Sequence, residues 1–172
     1  NEVTDCAATK WNFNDVRSGM VGGHCIGVDP YYLLNRATIK GVDLPLVSQS
    51  RKTNEKKVTS VADRILDIVS EKELAKILLL GFSYKKNCAD IRNTKVAEII
   101  KILEARGIDV ECYDPLVNIE QVKREYSISL LPTKPDLRLY DSIIIMVNHS
   151  EFWEMQNSNK FDGKVIHLRN FL

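Results

Sequence analysis

The spacing of hydrophobic residues divides the chain into two parts. From residue 1 to about residue 72, apolar residues recur every three or four positions, which is the spacing of one helix face. From residue 74 onward, short continuous apolar runs alternate with amphipathic stretches of helical period. The pattern therefore predicts a helical segment over residues 1–72 and an α/β domain over residues 73–172.

The helical part is predicted to contain three helices of unequal length. The first ends before an irregular segment, in which Trp11 and Phe13 are interpreted as core anchors. The second begins at Pro30 and ends before Gly41. The third runs from Leu46 to about Lys72 and has a polar section near its start. A long helix with a polar section between apolar ends often bridges two domains or pairs with another subunit.

The second part is predicted to form an open parallel sheet with helices on both faces. The predicted strands are Lys76–Gly81, Asp109–Tyr113, Ser127–Leu131, Ser142–Val147 and Lys164–Leu168. The predicted helices are Thr94–Arg106, Asn118–Tyr126 and Glu151–Gln156. Since strands and helices alternate, the expected fold class is α/β with a Rossmann-like sheet. Sheets of this kind bind ligands at the carboxyl ends of their strands.

Charge and composition narrow the function classes. The chain has 24 basic and 23 acidic residues, a balance that argues against a general nucleic-acid-binding protein. No apolar run reaches ~18 residues and no secretion signal opens the chain, so we expect a cytoplasmic protein without a membrane partner. The four cysteines match no zinc-binding spacing, so we expect reduced thiols and no metal site. Because the chain begins with Asn1 rather than Met, we expect it to be part of a longer protein.

The stretch Gly22–Tyr32 places one cysteine between a diglycine and an Asp-Pro turn. The glycines allow the backbone to approach a ligand closely, and the proline restricts the loop to a definite shape. Cys25 has His24 and Asp29 as ionisable neighbours, an arrangement that suits a thiolate nucleophile. The alternative is that Cys25 is a buried small hydrophobe in a glycine-rich turn.

The loop after the first predicted strand, Gly81–Asn93, is basic. Lys85, Lys86 and Arg92 lie beside a predicted helix N-terminus, where positive charge and free backbone N–H groups attract phosphate or carboxylate. The loop has one glycine, whereas a dinucleotide site requires G-x-G-x-x-G, so no standard NAD site is expected here. The alternative is a solvated basic loop that binds nothing.

Other polar residues lie at the ends of predicted strands. Asp114 could be a ribose-binding acid or part of a strand-closing turn. His149 and His167 have no partner at metal-ligand spacing, and neither is expected to be catalytic.

Both loops resemble motifs of the UDP-glucose/GDP-mannose dehydrogenase family. Thr9–Phe13 is similar to the string that precedes the family's cysteine loop, and Gly22–Tyr32 resembles the catalytic-cysteine segment of the UDP-N-acetylhexosamine branch. Four residues of the basic loop match, in order, the motif that opens the family's UDP-binding domain: Tyr84, Lys85, Asp90 and Arg92. Two features depart from the usual pattern: Ala89 in place of proline, and His167-Leu168 before Arg169.

The resemblance implies an NAD-dependent oxidoreductase that converts the C6 alcohol of a UDP-N-acetylhexosamine to a carboxylate for polysaccharide biosynthesis. Cys25 would be the nucleophile that forms a thioester, and Asp29 would position water or assist proton transfer. The residues that would bind the substrate are Gly22, Gly23, Tyr32, Lys85, Arg17 and Arg169. Arg92 would contact the cofactor.

The resemblance also implies how the parent protein is organised. Residues 1–72 would be the end of a central dimerisation domain in a homodimer, and the main NAD-binding domain would lie upstream of Asn1. The chain alone would then be inactive. We expect Cys25 to face a cleft shared with the basic loop. A non-catalytic nucleotide-binding module is the alternative function.

Overall fold

The computed structural model describes residues 2–15, 19–71, 76–153 and 165–168. Its centre is a parallel sheet whose strands pair in the order β2-β1-β3-β4. The strands are β1 (Lys76–Leu80), β2 (Asp109–Tyr113), β3 (Ser142–Ile145) and β4 (Val165–His167). The α/β class and these predicted strands are therefore confirmed.

The helices lie close to their predicted positions. They are α1 (Glu2–Ala7), α2 (Asp29–Ile39), α3 (Pro45–Glu71), α4 (Val96–Ala105) and α5 (Ile119–Tyr126). Pro30 occupies the first turn of α2, where its missing N–H has no helical partner to lose. Asn118 caps α5 by accepting a hydrogen bond from the Gln121 N–H at 2.9 Å.

β1 is deeply buried because it lies between β2 and β3. Alternate residues of a strand point to opposite faces of the sheet. Ile77 and Leu79 pack into a large core that α3, α4 and α5 cover, whereas Leu78 and Leu80 pack into a smaller core on the other face. A strand that is covered on both faces requires the continuous apolar run seen in the sequence.

The described residues that pack on the second face of the sheet include two short 3₁₀ turns. The turns are Leu137–Leu139 and Ser150–Phe152. The second turn overlaps the start of the helix predicted over 151–156, whose remaining positions from 154 lie outside the described residues.

The long helix α3 contributes to the core of the α/β part. Val58, Val61 and Ile65 are buried together with Ile77 of β1. The first half of α3 is polar, yet it also has a buried face, as the site below illustrates. The division of the chain at residue 72 stays a prediction; α3 ends at Glu71, yet it already packs into the core of the α/β part.

The predicted strand over Ser127–Leu131 is wrong. Ser127 follows α5 in the left-handed conformation with a φ of +59°, and its N–H still bonds to the Lys123 carbonyl. Residues 128–131 then pass beside β2, where the Leu131 N–H donates to the Cys112 carbonyl at 2.9 Å. Ile128 and Leu130 are buried, so burial of alternate residues produced a strand-like pattern without a strand.

The prediction that Trp11 and Phe13 anchor a core is also wrong. Trp11 is 92% exposed and Phe13 is 39% exposed. No core forms around them among the described residues, because α1, which precedes them, buries none of its residues. None of the helices in the described ranges has the length and apolarity that crossing a lipid bilayer requires.

Candidate active site

A cleft opens at the carboxyl end of the sheet, where the parallel topology predicts ligand binding. Its volume is about 260 Å³. Both parts of the chain line it, because Met20 and Gly22 meet the loop after β1 and the turn after β3. The polar side chains of this lining include Ser83, Lys85, Lys86, Lys95 and Asn148.

The loop after β1 is anchored by a buried carboxylate. Asp114, at the end of β2, accepts hydrogen bonds from the Phe82 N–H at 2.7 Å and the Ser83 N–H at 3.0 Å. Burial disfavours the charged carboxylate, but the hydrogen bonds from His149 and from the Phe82, Leu116 and Ser83 N–H groups outweigh it and lower the pKa of Asp114. The contacts of Asp114 thus support its structural role in the strand-closing turn.

His149 is the partner of Asp114 on the turn after β3. Its Nε2 lies 3.0 Å from Asp114 Oδ2 and 3.3 Å from Ser83 Oγ, and all three residues are buried. The other ring nitrogen, Nδ1, accepts a hydrogen bond from the Asn87 N–H at 2.9 Å. The sequence gives His149 no visible polar partner, because its side-chain hydrogen bonds join it to residues more than thirty positions away.

Cys25 is exposed, and the alternative of a buried small hydrophobe is therefore wrong. Its carbonyl accepts hydrogen bonds from the Val28 and Asp29 N–H groups, both at 2.8 Å, so the loop turns directly into α2. Cys25 lines a cleft of about 530 Å³ together with Asp29. The other residues lining this cleft are Ile26, Pro30, Leu33, Val47 and Ser50.

The diglycine packs against the basic loop. The Gly23 N–H donates to the Arg92 carbonyl at 2.9 Å, and Asn93 Nδ2 donates to the Gly23 carbonyl at 3.0 Å. A Cβ on Gly22 would lie 2.7 Å from the Asn93 carbonyl oxygen. Gly23, with a φ of +79°, has the Tyr84 ring 3.0 Å from the position of its missing Cβ. Glycine is therefore required at both positions by contacts within the chain itself.

Asp90 links the basic loop to the residue before Cys25. Arg92 Nε donates to both Asp90 carboxylate oxygens at 2.9 and 3.0 Å, and His24 Nδ1 lies 4.0 Å from Asp90 Oδ2. The Arg92 guanidinium lowers the pKa of Asp90 to about 2. Asp90 in turn raises the pKa of Arg92, and the negative charge of a Cys25 thiolate adds to that effect.

Asn54 of α3 holds the backbone that leads into the diglycine. Its Oδ1 accepts a hydrogen bond from the Val21 N–H at 2.8 Å, and its Nδ2 donates to the Val21 carbonyl at 3.1 Å. Sequence reasoning missed this residue within a section that looks polar all round. The signal that could have found it is its spacing, since Asn54 lies four and seven residues before the buried Val58 and Val61.

Comparison with known proteins now decides the family. The UDP-binding domain of the UDP-glucose/GDP-mannose dehydrogenase family matches residues 78–171, and the central domain of the same family matches residues 1–56. The chain belongs to the UDP-glucose/GDP-mannose dehydrogenase family. This result confirms the resemblance inferred from the cysteine and basic loops.

Individual relatives of this dehydrogenase family agree with the family assignment. The chain is 40% identical to a UDP-N-acetyl-D-glucosamine 6-dehydrogenase of Pseudomonas aeruginosa over 96% of its length and 40% of that relative. It is 38% identical to a protein of the same name from Salmonella typhi, over 89% of the chain and 37% of the relative. The chain thus spans about 40% of the length of these curated relatives.

Solved structures of the family share the fold. A UDP-D-ManNAc dehydrogenase from Pyrococcus horikoshii superposes with a TM-score of 0.71 at 26% identity, covering 96% of this chain and 38% of that one. A UDP-glucose dehydrogenase from Pyrobaculum islandicum superposes with a TM-score of 0.76 at 18% identity, covering 96% of this chain and 39% of that one. The second likeness concerns the fold alone.

The structure groups the family's expected site residues into two clefts. Cys25 and Asp29 share the cleft beside α2, whereas Gly22 and Lys85 share the cleft at the end of the sheet. Cys25 and the lysines of the basic loop therefore line two different clefts among those described, and a cleft shared by Cys25 and the basic loop stays a prediction.

The remaining expected residues have varied surroundings. Tyr32 is 71% exposed and lines neither cleft. Gly23 faces Tyr84, and Arg92 is paired with Asp90. Arg17 and Arg169 lie outside the described residues. The roles of these residues in binding stay predictions.

Proposed function

We propose that this chain is the catalytic-cysteine and UDP-binding portion of an NAD-dependent dehydrogenase that oxidises C6 of a UDP-N-acetylhexosamine to the carboxylate. The observation that carries the proposal is the exposure of Cys25 beside Asp29, on a loop that is hydrogen-bonded to the basic loop of the UDP-binding domain. Two relatives described above, both UDP-N-acetyl-D-glucosamine 6-dehydrogenases, support this substrate class.

The chemistry assigned to Cys25 is covalent catalysis at an aldehyde. Oxidation of the alcohol first produces the C6 aldehyde, whose carbonyl carbon the Cys25 thiolate attacks to form a thiohemiacetal. Loss of a hydride from this adduct leaves a thioester, and attack by water breaks the C–S bond and releases the carboxylate and the thiol. We assign to Asp29, which lies in the first turn of α2 and lines the same cleft as Cys25, the role of orienting that water and accepting its proton.

The described residues do not fit a complete NAD site. The loop after β1 carries one glycine, Gly81, and the guanidinium of Arg92 is occupied by Asp90. We therefore propose NAD as the hydride acceptor of the parent protein and assign it no binding site among these residues. For the same reason we predict that the 172-residue chain alone does not turn over a UDP-hexosamine with NAD, which a spectrophotometric assay of NADH checks.

The basic loop is the part of the chain that suits the nucleotide. Lys85 and Lys86 are exposed at the cleft at the end of the sheet, and the N-terminus of α4 lies beside them. Two ammonium groups at such a position attract a diphosphate. We propose that Lys85 contacts the UDP-sugar there, with the Gly22 backbone at the other wall of the cleft.

The experiment that tests the proposal compares the cysteines. In the full-length parent protein, we expect iodoacetamide to modify Cys25 faster than Cys6, Cys88 or Cys112, as read by mass spectrometry of the labelled peptides. Cys112 is fully buried, which raises the pKa of its thiol and makes it the slowest. Cys25→Ser should abolish turnover, whereas Cys6→Ser, at an exposed thiol outside both clefts, should leave it unchanged.

A different result would favour the alternative function. If Cys25→Ser keeps both turnover and UDP affinity, the thiol has no covalent role. The chain would then be better described as a nucleotide-binding module without catalysis.

We also propose that the protein is a homodimer of the cytoplasm that associates through its helical part. The support is a set of apolar side chains left exposed there: Ile26, Tyr32, Leu33, Ile39, Val42 and Leu46. Exposed apolar surface of this extent is typical of a protein interface.

A further inference from the structure

The two lysines proposed to bind the nucleotide lie between two fixed points of the same loop. On one side, the Ser83 N–H donates to Asp114, and the Ser83 hydroxyl lies 3.3 Å from His149 Nε2. On the other side, the Asn87 N–H donates to His149 Nδ1 at 2.9 Å. One imidazole therefore connects both ends of the segment that carries Lys85 and Lys86.

The hydrogen bonds define the state of this imidazole. Because the Asn87 N–H is a donor, Nδ1 must accept and cannot carry a proton. The proton then resides on Nε2 and is donated to Asp114 Oδ2 at 3.0 Å. The edge of the Phe152 ring packs against the imidazole, with the centroids 5.4 Å apart, so the ring orientation is fixed as well. The described neighbours of the ring include one charged group, Asp114.

The far end of the segment needs this support. Asn87 has a φ of +55°, a left-handed conformation that is uncommon for residues other than glycine. Its side chain is tied to the same turn, because Asn87 Nδ2 donates to Ser150 Oγ at 2.9 Å and the Ser150 N–H donates to Asn87 Oδ1 at 2.8 Å. These two hydrogen bonds fix the side-chain amide of Asn87, whereas the hydrogen bond to His149 Nδ1 fixes its backbone N–H.

The geometry points to His149 as a positioning residue for the nucleotide: its unprotonated Nδ1 fixes the Asn87 backbone and thereby holds Lys85 and Lys86 at the cleft. This inference rests on the proposed binding of UDP by those lysines. His149 itself has no contact with the ligand in this role. It acts through the loop, while its Nε2–H contributes to stability through Asp114.

Two substitutions separate the two nitrogens of the ring. The amide of asparagine extends as far from Cβ as Nδ1, so His149→Asn keeps an acceptor for the Asn87 N–H and loses the donor to Asp114. The longer amide of glutamine extends as far as Nε2, so His149→Gln keeps the donor to Asp114 and loses the acceptor. Each variant loses one buried hydrogen bond, so both should be destabilised.

The measurement is UDP affinity by calorimetric titration of the 172-residue chain. We expect His149→Asn to bind within about three-fold of wild type and His149→Gln to bind roughly ten-fold more weakly. If His149 had a merely structural role, the UDP affinity of each variant would instead fall in proportion to its loss in the free energy of unfolding. The matched control is Tyr140→Phe, which removes a hydrogen bond to Glu111 at the opposite end of the sheet and should lower stability without changing UDP affinity.

Amide hydrogen exchange of Asn87, measured without UDP, tests the same tie independently. Exchange should be slow in wild type and His149→Asn and fast in His149→Gln. Equal exchange in the two variants, or equal UDP affinities despite unequal exchange, would overturn the inference. Wild-type protein that binds no UDP would overturn the proposed nucleotide site and with it this role. The outcome in which wild type binds but the variants do not differ overturns the role of His149 alone.

Discussion

At the scale of single residues, the site depends on two glycines, whose missing side chains leave room for a neighbouring loop, and on one buried carboxylate that is charged. Gly22 and Gly23 are glycines because Tyr84 and Asn93 occupy the space in which their Cβ atoms would lie. Asp114 is charged because backbone N–H groups of the loop after β1 point at its carboxylate. Both features join segments that are far apart in the chain.

Gly22→Ala should loosen the docking of the cysteine loop on the basic loop. The new methyl group would lie 2.7 Å from a backbone oxygen, which cannot rotate away, so the two loops must separate. We expect a loss of about 1–3 kcal/mol in the free energy of unfolding, measured by urea denaturation. Gly19→Ala is the matched control, because nothing lies within 4 Å of its Cβ position, and it should change stability little.

Asp114→Asn should lower stability most at neutral pH. The pKa of Asp114 is lowered from 3.8 in the folded state, so its contribution is present above about pH 3.8 and is lost as the pH falls through the folded pKa. At neutral pH the loss should be about 2–4 kcal/mol, since charged hydrogen bonds to the loop are removed. Urea denaturation of wild type and variant between pH 2 and pH 7 checks whether the difference narrows with acid.

The control for this pH series is Asp136→Asn. The pKa of Asp136 is lowered to about 2 by the Arg138 guanidinium, but the pair lies on the surface, where solvent screens it. Its effect should be small at every pH. If Asp136→Asn changed the pH dependence of the free energy of unfolding more than Asp114→Asn did, the buried carboxylate would not be the group responsible for that dependence.

At the scale of secondary-structure elements, α3 connects the two loops. Its second half is buried against the sheet through Val58, Val61 and Ile65, and its first half holds Val21 through Asn54. The diglycine forms a second connection, because the Gly23 carbonyl accepts a hydrogen bond from Asn93 of the basic loop. The position of the cysteine loop is therefore determined twice, once by α3 and once by the basic loop.

Asn54→Ala should release the segment that leads into the cysteine loop. The N–H and carbonyl of Val21 would lose their amide partner, which should cost about 1–3 kcal/mol in the free energy of unfolding. Hydrogen exchange at the Val21 amide should accelerate more than exchange in β1. Lys56→Ala, on the exposed side of the same helix, should affect neither measurement. If hydrogen exchange at Val21 were unchanged in Asn54→Ala, the Asn54 side chain would not be what holds the Val21 backbone in place.

Much of this arrangement could be predicted from the sequence where the determinant is local. The apolar run of β1, the proline that opens α2 and the asparagine that caps α5 act on their own neighbours, so the elements follow from them. The cysteine loop was found because its glycines and its Asp-Pro turn are contiguous. These signals need no knowledge of what lies across the fold.

The rest depends on contacts between distant residues, which spacing along the chain does not reveal. Asn54 and Val21 are 33 positions apart, and His149 and Asp114 are 35 positions apart. His149 therefore looked isolated, and Asn54 looked like one more polar residue on a solvated helix. The alternating apolar residues Ile128 and Leu130 predict a strand that does not form, because burial alone does not supply the hydrogen-bond ladder of a strand.

At the scale of the whole molecule, exposed apolar residues lie mainly on the helical part. Tyr32 and Leu33 on α2 and Leu46 at the start of α3 are exposed, whereas the sheet is covered on both faces. This uneven distribution is the reason for proposing that copies of the protein associate through the helices and not through the α/β part.

Leu46→Asp should weaken self-association. Leu46 is 86% exposed, so the substitution costs little within one chain but places a charge in the proposed interface. Sedimentation equilibrium should give a dissociation constant at least about ten-fold higher than that of wild type. Leu139→Asp, at a residue 66% exposed on the α/β part, should leave the association constant unchanged. The opposite ranking of the two variants would place the interface on the sheet side.

The uninterrupted course of α3 limits how the molecule can flex. A hinge between the thiol and the lysines would have to bend the helix, pull Val58 out of the core or break the paired amide bonds to Val21. Each of these changes is energetically costly, so α3 keeps the distance between the Cys25 thiol and the lysines of the basic loop nearly constant. Under the proposed function, a substrate that contacts both the thiol and the lysines must span that distance, so the rigidity of α3 would restrict the length of substrates that the parent protein can use.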